Sequence, residues 1–372
     1  IFCRYLEHFA LKAVNEPIVK VALFGVGHAR TIHLKTMISS RRVQILYIVD
    51  DVESKWQSIQ KYWHLDNVTF LSSKQCDKVF KDSKEVTISI KKVLVDAIFV
   101  ATPTITHKDI VIKALQAMKA VFCEKPIAED HPSTVKCYKM AKKVGKPLFT
   151  AFNRRFDPSY WNLKERVHKG VVGHVHMIKR VAHDSPLLSL EYLKVSGGIF
   201  HDCLVHGIDL IVWVLGEYPD KVRFLHILYA TEIKAIGDFD TVAVNFHFPS
   251  GTLGMIDLSR NSPYGYDQRL EVFGPKGMLQ ADNRQLNSVH LYNELQGITT
   301  APIWYSWPSR FMNAYIREFD HFLDVVHGKI ESEVKSKDIL AVSKIATACE
   351  ESARLGKVVE FIWTKDELPN NL

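Results

Sequence analysis

The stretch Ile18-Val19-Lys20-Val21-Ala22-Leu23-Phe24-Gly25-Val26-Gly27 decides how the first half of the chain reads. A mostly apolar, partly β-branched run leads straight into two glycines. With no polar alternation, the run is predicted to be a strand buried on both faces, as in a parallel sheet. After His28, Ala29 and Arg30 comes a helical stretch to about Ser39, then a second strand, Val43–Val49, ending on Asp50 and Asp51. Strand, glycine turn, helix, strand and acid in this order fit a dinucleotide site. Gly25 permits the tight turn, Gly27 lets the backbone approach a pyrophosphate, and the helix N-terminus faces the phosphates. Asp50, 25 residues after Gly25, can accept hydrogen bonds from both adenosine ribose hydroxyls. Its charge would repel a 2′-phosphate, which favours NAD over NADP. The third glycine of G-x-G-x-x-G is Arg30 here, so helix and strand must pack differently at that point.

Downstream, the pattern repeats. A helix after Trp56, a short strand near Val68–Leu71 and a variable lysine-rich segment over Lys81–Lys92 lead to the strand Val95–Ala101. That strand stops at Thr102-Pro103, and the loop Thr104–His107 precedes a helix over about Lys108–Met118. The next strand, Ala120–Cys123, ends in Glu124-Lys125-Pro126, and a helix near Ser133–Val144 and a strand Leu148–Phe152 follow. Alternating strands and helices predict a doubly wound parallel sheet that binds ligands outside the carboxyl ends of its strands. Thr102, Pro103, Thr104, His107, Glu124 and Lys125 all lie at such ends and are cofactor-binding candidates. His28 and Ala29 join them from the glycine turn. His33 reads equally well as a packing residue or as a neighbour of the cofactor.

Composition narrows the class. A chain of 372 residues, 47% hydrophobic and 24% charged, suits two globular domains. The net charge of +7 is spread in short pairs such as Arg41-Arg42 and Lys142-Lys143, without the localised stripe that nucleic acid requires. Six scattered cysteines form no Cys-x-x-Cys pair and no zinc-ligand spacing, so no metal is expected and a reducing compartment is. No apolar run approaches a membrane span, and Ile1–Val14, broken by Arg4, Glu7 and Lys12, makes a poor signal peptide. The expected location is cytoplasmic. An opening on Ile1 suggests a trimmed start.

In the second half, Gly197-Gly198 lead into an apolar segment carrying Asp202 and His206, four residues apart. On an α-helix that spacing puts carboxylate and imidazole on one face, close enough to interact. A carboxylate beside an imidazole fixes its tautomer, as a general base needs. On its own such a pair is more often structural. Strand-like runs at Val172–His183, Lys221–Thr231, Thr241–Pro249, Gly251–Arg260 and Gln268–Phe273 are separated by turn residues, with Pro249-Ser250-Gly251 as a hairpin signal. Later helices are predicted over about Asn313–Val326 and Asp338–Leu355.

Taken in order, Gly25-x-Gly27 with His33, Asp50, Ala101-Thr102-Pro103, Thr106-His107, Glu124-Lys125-Pro126, Asn153-Arg154-Arg155-Phe156-Asp157, Ser196-Gly197-Gly198 and Asp202-x-x-x-His206 resemble the Gfo/Idh/MocA oxidoreductase family, and within it the inositol 2-dehydrogenases. The resemblance covers residues 18 to 361. It implies α/β architecture: an N-terminal Rossmann domain (1–150) and a C-terminal α/β domain (151–372) with a large, mostly antiparallel open sheet that assembles dimers or tetramers. It also implies a cis Lys125-Pro126 bond and a catalytic trio of Lys125, Asp202 and His206. In that scheme His206 takes a hydroxyl proton, Asp202 holds His206, and Lys125 hydrogen-bonds the reacting oxygen. For a polyol or sugar substrate it points to Arg155, Asp184 and either Tyr264 or Tyr266, which would share a strand face; Arg154 reads as a structural ion pair. Two other readings stay open: a sugar or dihydrodiol dehydrogenase with different regiochemistry or NADP use, and a silent dinucleotide-binding sensor, which should have lost part of the trio.

Overall fold

The computed structural model describes residues 16–27, 31–80, 94–227 and 230–368, so His28, Ala29 and the 81–92 segment lie outside the described residues. The chain forms two compact units, one of Ile1–Ala128, Val135–Ala151 and Tyr315–Glu333, the other of Glu129–Thr134, Phe152–Ala314 and Val334–Leu372.

The first unit is built on six strands: β1 (Val19–Phe24), β2 (Val43–Val49), β3 (Thr69–Leu71), β4 (Ala97–Val100), β5 (Ala120–Glu124) and β6 (Leu148–Ala151). All pair in parallel, in the order β3-β2-β1-β4-β5-β6. The order reverses between β1 and β4, the switch point where such sheets bind ligands. As the unbroken apolar runs require, β4 and β6 are buried throughout and Val21, Ala22 and Leu23 have no exposed surface. The helix Thr104–Gln116 starts earlier than expected, directly after the extended Pro103. Three polar residues, Thr104, Thr106 and His107, had disguised its first turn as a loop.

The first unit is not one continuous stretch of chain. Residues 315–333 belong to the first unit, because Phe319 and Phe322 on the helix Met312–Val326 pack onto its sheet. Phe322 lies 5.2 Å from Phe99, 5.4 Å from Phe122 and 5.7 Å from Phe149, centroid to centroid. Phe319 meets Phe99 at 5.6 Å. Rings that bury this much apolar surface dominate the energetics of a core.

The second unit carries β7 (Met177–His183), β8 (Lys221–Ile227), β9 (Thr241–His247), β10 (Leu253–Ser259), β11 (Asp267–Gly274) and β12 (Gly277–Ala281). A small separate hairpin, β13 (His290–Asn293) with β14 (Gly297–Thr300), precedes the two-residue β15 (Val359–Glu360). The seven-stranded sheet runs β12-β11-β7-β10-β9-β8-β15, with β7 and β10 parallel and its other pairs antiparallel. The expected β9–β10 hairpin closes at Gly251, with φ +86°. Two expected strands are shorter: Val172–His183 begins only at Met177, and after β8 the chain turns into the helix Thr231–Ala235. One face of the sheet, including Ile178, Val244, Ile256 and Leu270, is buried. The helix Val205–Leu215 approaches β10 closely at Gly207, where an added Cβ would stand 3.0 Å from Ile256 Cδ1. That close approach fixes the height of its neighbour His206 over the sheet.

Candidate active site

In the first unit, Gly25 takes φ +89° and its N–H donates to Val49 O at 2.7 Å. Asp50 then ties the turn to the end of β2: Oδ2 accepts from Val26 N at 2.9 Å and Oδ1 from Val52 N at 2.8 Å. Each carboxylate oxygen has a second lone pair, so Asp50 can brace the turn and still accept from a ribose. A positive-φ glycine, an acceptor at the end of β2 and a helix starting at Thr31 are the donor and acceptor set an NAD adenosine and pyrophosphate call for.

At the ends of β4 and β5 the expected cofactor residues brace one another. His107, 1% exposed, has Nδ1 2.7 Å from Pro126 O and Nε2 2.7 Å from Thr102 O. Its ring therefore ties the Thr102-Pro103-Thr104 segment to the Glu124–Pro126 turn; with both nitrogens so occupied, it shapes the site from behind. His33 resolves the same way. It is buried edge-on against Phe122 and Tyr315, with Nε2 2.6 Å from Glu124 Oε1. Burial pushes the Glu124 carboxyl up, but the His33 hydrogen bond and the nearby His33, Lys125 and His107 outweigh it and hold the group below its ordinary range. Lys125, half-buried, follows directly, and the Lys125-Pro126 bond is cis as expected.

In the second unit the diglycine Gly197-Gly198, at φ +88° and +76°, leads into a π-helical turn, Phe200–Leu204, continuous with the α-helix Val205–Leu215. Asp202 sits in the wide turn and His206 in the regular helix. The wider turn re-aims the carboxylate. Asp202 Oδ1 accepts from the Tyr192 hydroxyl at 3.1 Å, and Oδ2 lies 3.8 Å from Arg260 Nη1. His206 Nδ1 is buried and makes no hydrogen bond, while the ring stands edge-on to Phe152 at 5.9 Å. His201, on the same turn, faces Glu350 of the helix Ser336–Leu355 at 3.6 Å.

The two neighbouring arginines differ in how fully they are engaged. Arg155 has no exposed side-chain surface; Nη2 donates to Asp209 Oδ1 at 2.7 Å and Nη1 to Asp338 Oδ2 at 3.0 Å. That is a buried structural ion pair, which corrects the assignment of Arg155 to a substrate. Arg154 is buried as well, but only Nη2 is engaged, by the Tyr266 hydroxyl at 2.8 Å, while Nε and Nη1 make no hydrogen bond. Both arginines lie in the 3₁₀ turn Asn153–Phe156, where neighbouring side chains diverge by a third of a turn, so sequence adjacency could not say which faces where.

The two tyrosines also divide. They precede β11 and share no strand face, and Gly265 between them takes φ +129°. Tyr266 turns inward, 2% exposed; Tyr264 is 58% exposed and donates to Asp267 Oδ2 at 2.8 Å. Asp184 follows β7 and accepts from Cys203 Sγ at 3.4 Å. Burial pushes its carboxyl up and the Asp202 charge adds to this, against the pull of Arg154. Tyr192 and Arg260, which meet Asp202, are polar residues that sequence reasoning passed over, and Arg154 it read as a structural ion pair. An arginine inside an already noted motif was the one signal available for any of them.

Two family models match the chain. The oxidoreductase family with an NAD-binding Rossmann fold covers residues 19–152, and the GFO/IDH/MocA C-terminal domain covers residues 160–280. The chain is 35% identical to the myo-inositol 2-dehydrogenase of Thermotoga maritima over 86% of its own length and 92% of that protein. It is 30% identical to the inositol 2-dehydrogenase of Rhizobium meliloti, over 90% and 96%. It also superposes on the Lactobacillus casei scyllo-inositol dehydrogenase crystallised with NAD(H) and scyllo-inositol, with a TM-score of 0.82, 25% identity and coverage of 92% and 99%. Together with the parallel sheet, its glycine turn and Asp50, these matches make the chain a member of the Gfo/Idh/MocA family and an NAD-dependent oxidoreductase.

Proposed function

We propose that the enzyme oxidises a secondary hydroxyl of a cyclic polyol of the inositol type. The observation that carries this reading is the polar set of Arg154, Asp184 and Tyr266. It combines a buried guanidinium with two unengaged N–H edges, a half-buried carboxyl and an inward phenol. A ring of hydroxyls needs such alternating donors and acceptors. The similarity to three inositol dehydrogenases supports the same class. NAD is held by Gly25, Gly27, Asp50 and the Thr102–Thr104 segment, and when bound it supplies the nicotinamide carbon that takes up a hydride.

The chain's own residues handle the proton. His206 accepts the hydroxyl proton at a ring nitrogen, and Lys125 donates to the same oxygen and stabilises its developing negative charge. Asp202 supplies a negative charge on the turn that leads into the helix of His206. Arg154, Asp184 and Tyr266 orient the remaining hydroxyls, so that one carbinol is presented.

Copies of the chain pair through the open face of the seven-stranded sheet. On that face Met278, Phe273, Met177 and Leu253 line up across β12, β11, β7 and β10, an apolar row of the kind that oligomers cover. The test of function is a panel of inositols and sugars with NAD and NADP, read by the absorbance of the reduced cofactor. Turnover of inositols with NAD is expected. Turnover of none would leave a dinucleotide-binding sensor.

A further inference from the structure

Asp202 is held from two sides by residues outside its own turn. Tyr192, in the short helix Leu190–Leu193, donates its hydroxyl to Oδ1 at 3.1 Å. Arg260, just beyond β10, faces Oδ2 at 3.8 Å. Arg260 is itself anchored before it meets that carboxylate. It is 3% exposed, its Nε donates to Phe239 O at 3.1 Å, and Nη2 donates to Asp238 Oδ2. Asp238 in turn accepts from Ile199 N at 2.9 Å, fixing the backbone just past the diglycine. A chain of polar contacts thus runs from Ile199 through Asp238 and Arg260 to Asp202.

Tyr192 closes it from the other end. Tyr192 as a whole is 43% exposed, yet its hydroxyl reaches Asp202. Burial and the Asp202 charge push the phenol far above its ordinary range, so it stays a donor. A residue so exposed adds little packing, so the contact that matters is its hydrogen bond to Asp202. His206 Nδ1, on the same helix, makes no hydrogen bond, whereas Tyr192 and Arg260 both meet the Asp202 carboxylate.

We propose that Tyr192 and Arg260 are positioning residues for the dehydrogenation, holding Asp202 in the orientation the proton transfer at His206 uses; the proposal rests on the functional reading above. The test compares the wild type with Tyr192→Phe and Arg260→Lys on the polyol the wild type oxidises best. It measures kcat, KM, NAD affinity by tryptophan fluorescence, the melting midpoint, and the isotope effect with substrate deuterated at the carbinol carbon. Tyr192→Phe removes one hydrogen bond to a charged group and is expected to lower kcat roughly tenfold, with NAD affinity and midpoint unchanged. The isotope effect should rise as the chemical step slows. Arg260→Lys keeps the charge without the fork and should show a smaller loss of the same kind. If that variant does not fold, Tyr192→Phe decides alone. A wild-type kcat and isotope effect in Tyr192→Phe, or a loss of activity that tracks a fall in the midpoint, overturns the clamp. A wild type inactive on every polyol instead overturns the functional reading on which it rests.

Discussion

His206→Ala should lower kcat by roughly 10²–10⁴ while NAD affinity survives, because general-base removal acts on the chemical step. If NAD binding collapses in a fluorescence titration, His206 does not belong to the substrate side. The neighbouring arginines make a sharper contrast. Arg155→Met would leave Asp209, which has no exposed side-chain surface, without its counter-charge. Breaking such a buried pair costs about 3–5 kcal/mol, so denaturant unfolding should show a large loss of stability. Arg154→Met should spare most of that stability and raise the polyol KM roughly tenfold, as lost hydrogen bonds to substrate would. Equal loss of stability in both would make Arg154 structural after all. Residue types at these positions were legible in the sequence, and their partners were not. Which arginine meets Asp209 depends on the phase of a 3₁₀ turn, and which tyrosine turns inward depends on Gly265.

Among elements, strands β1, β4 and β5 were readable because strands buried on both faces leave uninterrupted apolar runs. The π-helical turn Phe200–Leu204 was not, since nothing in its composition distinguishes it from an α-turn. It places Asp202 where Tyr192 and Arg260 meet its carboxylate, contacts that an α-helical spacing does not announce. The glycine turn behaves as its spacing predicts, and Asp50 adds a bond to Val26 N that the pattern did not reveal. Asp50→Ala should therefore weaken NAD binding and also relax the preference for NAD over NADP, seen as convergence of the two kcat/KM values. Unchanged discrimination would leave Asp50 with the loop-bracing role alone.

At the scale of the whole molecule, acid sensitivity can be assigned a sign. The His201 hydrogen bond, with Arg354 beside it, holds Glu350 down to about 2 from an ordinary 4.5. A depressed carboxylate stabilises the fold above its unfolded pKa, and that stability is lost as pH falls from about 4.5 toward 2. Asp184 and Asp209, pushed up by burial, work in the opposite sense and favour the fold less as pH rises. Glu350→Gln should flatten the acid limb of the stability curve between pH 5 and pH 3, measured by urea unfolding; an unchanged limb would assign it to other carboxylates. The two-unit plan was readable from motif order, but the return of residues 315–333 to the first unit was not, because an amphipathic helix does not name the sheet it will cover.

That return governs the order in which the protein can be made. The ribosome completes all six parallel strands early, yet Phe319 and Phe322, which cover the Phe99–Phe122–Phe149 cluster, emerge only after the seven-stranded sheet's first six strands. Until then the nucleotide-binding half carries an uncovered aromatic surface, a hazard for a nascent chain. A gene fragment cut after β6 would inherit the same exposed patch, so this module can be inherited or transplanted only together with a helix encoded more than half the chain away from its glycine turn.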